Sequence, residues 1–125
     1  MEISLPTDCG NAPRMGIVGD FAVNWATGHT ESVSEWLAED MTWTLLGVGI
    51  YRGPEAAGEV GPAFTPERVN VVSVITHGRV ASCDGHLEAG GRRLYFSHVL
   101  RFASTSRTAR IAEVRSYCIE TPGVR

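Results

Sequence analysis

The order of elements written into this chain predicts an α+β fold, a mostly antiparallel sheet curved around N-terminal helices. Three observations carry that expectation. Apolar residues recur at helical spacing between Met15 and Thr27. From Glu67 onward, period-two stretches succeed one another, separated by turns that contain glycine. Leu94 to Phe102 then alternates strictly, with Leu94, Phe96, His98, Leu100 and Phe102 on one face and Tyr95, Ser97, Val99 and Arg101 on the other. Helices segregated from antiparallel strands define the class.

Residues 1–11 read as an extended arm broken by Pro6 and Gly10, with Asp8 or Asn11 able to cap the first helix. Pro13 suits the first turn of that helix, whose apolar face is Ile17, Val18, Phe21, Ala22 and Trp25, and Gly28 ends it. Thr30 opens a second helix, with a capping-box pattern at Ser32–Glu35 and Val33, Trp36 and Leu37 as its buried side. Asp40 then precedes a strand in which Met41, Trp43 and Leu45 alternate with Thr42, Thr44 and Leu46. Gly47–Gly49 turns the chain into a short return strand, 50–52. A brief third helix starts at Pro54 and is weakened by Gly58 and Gly61. The meander completes the chain as strands over 69–76, 80–88 (bulged at Gly85), 94–102 and 109–120.

Composition narrows the function classes. At 125 residues the chain is expected to form one domain, spanning 1–125. A hydrophobic share of 43% with 20% charged residues is that of a globular protein. A net charge of −3 without like-charge runs gives no footprint for nucleic acid or an anionic membrane. No apolar run approaches the ~20 residues of a membrane span. The N-terminus has neither a basic leader nor an apolar stretch, so a cytoplasmic protein is expected. Cys9, Cys83 and Cys118 are an odd set without pairing motifs, which fits reduced thiols. Cys83 and His86 lack a second ligand pair at zinc spacing, so neither a metal nor another cofactor is expected.

His98 is the main candidate functional residue. A titratable ring in a buried apolar stripe must be hydrogen-bonded, or it must line a cavity as an acid, base or ligand contact. In the last strand the pattern conflicts with itself. Glu113, Arg115 and Tyr117 share a face with Ile111 and Ile119, while Ala112, Val114, Ser116 and Cys118 share the other. The expectation places the polar set inward beside His98, and a bulge would reverse it.

Three stretches then carry a resemblance. They are Ala38–Trp43 after the helices, Ile50–Ala57 at a strand-Gly-helix junction, and the closing Arg110–Tyr117. Together they resemble the SnoaL-like, nuclear-transport-factor-2-like superfamily of cystatin-like α+β cones, over nearly the whole chain. Asp8–Pro13, Ile75–Gly78 and Ser116–Tyr117 are similar to a small, uncharacterised subgroup of it. The resemblance implies a pocket between the concave sheet face and the helices, and a homodimer through the convex face. It also implies a small hydrophobic or aromatic ligand, contacted by Phe21, Trp25, Trp36, Trp43, Leu45, Phe96 and Leu100. The catalytic residues would be His98 as general acid or base, Glu113 to orient it, and Arg115 or Tyr117 to stabilise an enolate oxygen. The activity implied is that of a cofactor-independent isomerase, cyclase or lyase.

This chain departs from two branches of that superfamily. Steroid isomerases use a first-helix tyrosine and an early-strand carboxylate, where this chain has Phe21 and Trp25, then Thr42, Thr44 and Leu46. Limonene-epoxide hydrolases use an Asp-Arg-Asp set that no trio here reproduces. Catalysis requires a charged partner within reach of His98. A pocket without one implies a non-enzymatic ligand binder, and an interior filled by its own side chains implies a protein-interaction domain.

Overall fold

The computed structural model describes residues 1–7 and 13–122. The expected cap at Asp8 or Asn11, the Cys9 thiol and most of the Asp8–Pro13 motif lie outside them. The described elements are β1 (Glu2–Ser4), α1 (Pro13–Thr27), α2 (Thr30–Ser34), β2 (Leu37–Leu45) and β3 (Gly49–Arg52). A 3-10 turn (Pro54–Gly58) comes next, then β4 (Arg68–His77), β5 (Val80–Ala89), β6 (Arg92–Phe102) and β7 (Ile111–Pro122). The strands form one curved mixed sheet in the order β1-β4-β5-β6-β7-β2-β3. The β1–β4 and β2–β7 pairs are parallel and the others antiparallel. The predicted α+β class is the observed one.

α1 exists because its apolar residues form one stripe. Val18, Phe21, Ala22, Trp25 and Ala26 are all buried against the inner sheet face. Each large side chain so buried contributes roughly 1.5–3 kcal/mol. Gly28 ends the helix at φ +78°, a conformation that costs glycine little.

The second helix is shorter than the sequence suggests. It is a single turn, without a side-chain cap; Ser34 instead donates its hydroxyl to the Glu31 carbonyl. Leu37 already belongs to β2, so Asp40 lies within a strand instead of capping one. Tertiary pairing overrides local capping here, because Leu37 is fully buried beside Ile111 of β7.

Register shifts in three strand pairs shape the sheet, β2–β7 between Leu37 and Thr42 among them, and the other two are single-residue bulges. Val71 pairs with Gly85 and Ser73 with Asp84, so the extra residue is Val72 on β4. The bulge expected at Gly85 therefore sits on the opposite strand. Gly85 is the residue that makes room for it. In β7, Arg101 pairs with Glu113 and Phe102 with Ile111, leaving Ala112 as the extra residue. Such insertions bend a strand and shift its facing pattern.

Candidate functional site

The inner face of β6 is as predicted. Leu94, Phe96, His98, Leu100 and Phe102 are all buried, and His98 has no exposed surface. The Ala112 bulge corrects the expectation for β7. Ile111 faces inward, the insertion flips the alternation, and Val114 and Ser116 become the buried residues. Glu113, Arg115 and Tyr117 face outward, with Tyr117 44% exposed. They do not approach His98. Glu113 instead bridges Arg101 and Arg115, accepting from Arg115 Nη1 at 3.0 Å. Partial burial opposes its ionisation, but the two guanidinium groups outweigh that and hold its carboxyl below the ordinary range.

Ser116, which sequence reasoning left unassigned, is the residue that β7 places opposite His98. His98 Nδ1 lies 2.7 Å from Ser116 Oγ, and Trp43 Nε1 donates to the same oxygen at 2.9 Å. Counting donors assigns the tautomer. A serine hydroxyl has one hydrogen to give and can accept two. Trp43 occupies one acceptor site, and the hydroxyl hydrogen has His98 Nδ1 as its acceptor. The ring proton therefore sits on Nε2. The opposite tautomer would leave both the serine hydrogen and Nε2 unmatched.

Four aromatic rings enclose this imidazole. Centroid separations are 4.4 Å to Trp25, 5.2 Å to Phe96, 5.7 Å to Phe21 and 6.4 Å to Trp43. Nε2 finds no hydrogen-bond partner among the described residues. With no countercharge nearby, burial pushes the His98 pKa down to about 3, so the ring is neutral at pH 7. A neutral imidazole held by a serine hydroxyl can donate a hydrogen bond; it is not poised as a proton shuttle near neutrality.

A groove of about 190 Å³ borders Trp25. Its walls are Trp25, Leu45, Leu46, Val48, Val60, Leu94 and Cys118, floored by the 61–63 segment. The Trp25 indole is fixed there by donating from Nε1 to the Val60 carbonyl at 2.8 Å. Burial pushes the Cys118 thiol up to about 11, so it is an apolar wall and not a nucleophile.

The structure thus divides the expected ligand set. Trp25 and Leu45 line the groove. Phe21, Trp43 and Phe96 wrap His98, Leu100 is packed in the core, and Trp36 is half-buried beyond α2. Leu94 was already on the predicted inner face of β6, and Cys118 could have been found once the β7 bulge was placed; Val60 could not, because it lies outside any periodic segment. Cys83 is buried while His86 faces the opposite side of β5, so the two do not converge. Among the described residues, no helix is long and apolar enough to cross a membrane.

Solved structures share this architecture. An NTF2-like protein of unknown function from Burkholderia xenovorans LB400 superposes with a TM-score of 0.67 at 14% identity, over 89% of this chain and 88% of that one. A de novo designed protein with a curved β-sheet gives 0.69 at 18% identity, over 92% and 88%. An LEH-like epoxide hydrolase of M. tuberculosis gives 0.59 at 18%, over 86% and 83%. No protein-family model matches, and no curated protein matches. The fold is NTF2-like. At these identities, and with a designed protein among the matches, the likeness speaks to fold alone.

Proposed function

We propose that the protein is a one-domain, cytoplasmic binder of a small, neutral, apolar organic molecule, and that it works as a homodimer. The groove beside Trp25 is the observation that carries this reading. No charged side chain lines it. Its size also limits the ligand: a dry engineered cavity of about 150 Å³ holds benzene, whereas drug-sized ligands occupy roughly 300 Å³ or more. The groove therefore suits a single ring better than a polycyclic substrate. Enzymatic proton transfer is the less supported alternative, because the partner of His98 is a hydroxyl and the polar set of β7 faces away from it.

Filling the groove tests the reading. Cys118→Phe places a ring where the half-buried thiol stands, and it should weaken toluene or indole binding at least ten-fold by ligand-observed NMR with the fold intact. Unchanged affinity in a folded variant would reject the groove as the site.

The dimer half of the proposal rests on the outer sheet face. Tyr95 pairs with Ile119 and Ser97 with Tyr117. Three of these side chains, Tyr95, Tyr117 and Ile119, are large, adjacent and exposed. Such exposed apolar residues side by side support association through this face. Ile119→Asp should convert a dimer to a monomer in light scattering, and a wild-type monomer at micromolar concentration would refute this half.

A further inference from the structure

The chain's 11 lysine and arginine positions are all arginine. Arg68, Arg92, Arg93, Arg101 and Arg115 pair with carboxylates. Among the described residues, Arg14, Arg52, Arg79, Arg107 and Arg110 do not. All of these but Arg52 gather around the 103–110 loop between β6 and β7, in a chain whose net charge is −3. No Asp or Glu occurs between Arg101 and Ala112.

The fold brings these cations together. The Phe102 amide, at the end of β6, donates to the Arg79 carbonyl at 2.7 Å and draws the β4–β5 turn alongside the loop. Arg14, in the first turn of α1, lies over the Phe102 ring at 3.9 Å. Its Nη2 donates to the Ser106 carbonyl at 2.7 Å and to the Ser104 carbonyl at 3.5 Å. Arg79 Nη1 donates to the Ala103 carbonyl at 3.5 Å. Ala103 and Ser104 are consecutive, so both guanidinium groups sit on one short stretch of backbone. Arg107 belongs to the loop itself, and the Ala103 amide donates to the Arg110 carbonyl at 2.8 Å.

A neutral carbonyl positions a guanidinium without cancelling its charge, and the fork keeps further N–H donors free. The loop adds exposed hydroxyls at Ser104, Thr105, Ser106 and Thr108. Ser104 Oγ accepts from the Ser106 amide at 3.2 Å, which leaves its own hydrogen to donate outward.

We propose that this end of the molecule binds a small molecule bearing a phosphate chain, with Arg14 and Arg79 on adjacent phosphate groups and Arg107 and Ser104 beside them. Planar guanidinium forks match pairs of phosphate oxygens. One carboxylate balances one arginine, whereas linked phosphates carry charge for several. A nucleic-acid backbone would need a longer basic stripe than one loop supplies. The site lies at the opposite end of β6 from Leu94 of the groove, and it stands independently of the groove reading.

Pyrophosphate is the probe. Titrated at low salt into 15N-labelled protein, it should move the amide resonances of Arg79 and residues 103–108, and added salt should weaken it. Arg79 is exposed, so Arg79→Gln should keep the fold. It should raise the pyrophosphate Kd about ten-fold, the scale of one charge-assisted hydrogen bond, and adding Arg14→Gln should raise it further. Arg92→Gln removes one positive charge at the other end of β6 and should leave the Kd nearly unchanged. Equal losses in Arg79→Gln and Arg92→Gln would mean a diffuse field and overturn the proposal. Absence of saturable binding by the wild type, or shifts confined to other residues, would overturn it too. A single-stranded oligonucleotide that binds more tightly than pyrophosphate at equal phosphate concentration would overturn the small-molecule class.

Discussion

Gly85→Ala is expected to destabilise the protein by about 3 kcal/mol or more, enough to consume much of a typical stability of roughly 5–15 kcal/mol. A Cβ at this position would lie 2.0 Å from the Asn70 carbonyl oxygen, and 3.0 Å from both Asn70 C and Val71 Cα. All three are backbone atoms, so no rotamer change relieves the clash; the two strands must separate where Val72 bulges. Gly16 supplies the control. It sits in α1 with open space around it, and Gly16→Ala should be neutral or stabilising by up to about 1 kcal/mol. Thermal or guanidinium unfolding of the two variants measures the contrast. A Gly85→Ala protein as stable as wild type would contradict the close approach of β4 and β5.

Acidification should produce the second large effect, through His98. In the unfolded chain its pKa lies near 6.5, while burial takes it to about 3 in the fold. Between those values the unfolded chain binds a proton that the native state refuses. The contribution is therefore intact above about pH 6.5 and is lost as pH falls toward 3. The slope is roughly 1.4 kcal/mol per pH unit, or about 3 kcal/mol by pH 4.5.

Other groups titrate nearby and must be separated from it. Arginine partners hold the carboxyls of Glu88, Glu113 and Glu120 below the ordinary glutamate range, so their losses come at lower pH. The His86 pKa is also lowered, by partial burial and then the Arg93 charge, against an opposing pull from Glu88. His98→Phe keeps His86 and the carboxylates, so denaturant unfolding from pH 7 to 4.5 isolates the imidazole. The variant should lose most of the slope; a slope equal to that of wild type would mean that His98 can be charged inside the fold.

Much of this architecture was legible in the sequence for a simple physical reason. Where one face of an element meets the core, its apolar period is dictated, and both α1 and β6 announce themselves that way. The inward position of His98 followed directly. β7 was not legible in the same manner, because one inserted residue, Ala112, reverses every side chain after it, and an insertion leaves no mark on the period of either half. With it went the polar set expected beside His98 and the serine found there. The one-turn α2 was also out of reach, since its capping pattern is real but the pull of Leu37 toward Ile111 is not local. Whether the interior would be hollow or filled depended on how far the α1 aromatics reach across the sheet. No spacing rule encodes that distance, and the groove emerged beside Trp25 instead of around His98.

The place of β7 in the sheet has a consequence for biosynthesis. The last of the described strands lies between β6 and β2, and it is the link that joins β2 and β3 to the rest of the sheet. Until residues 111–122 leave the ribosome, a nascent chain can hold only two disconnected halves, with the β6 and β2 edges open to pairing with other chains. Completion of the sheet therefore waits for β7 and is slowed by contacts that span most of the sequence, and this interval is when a chaperone would matter most.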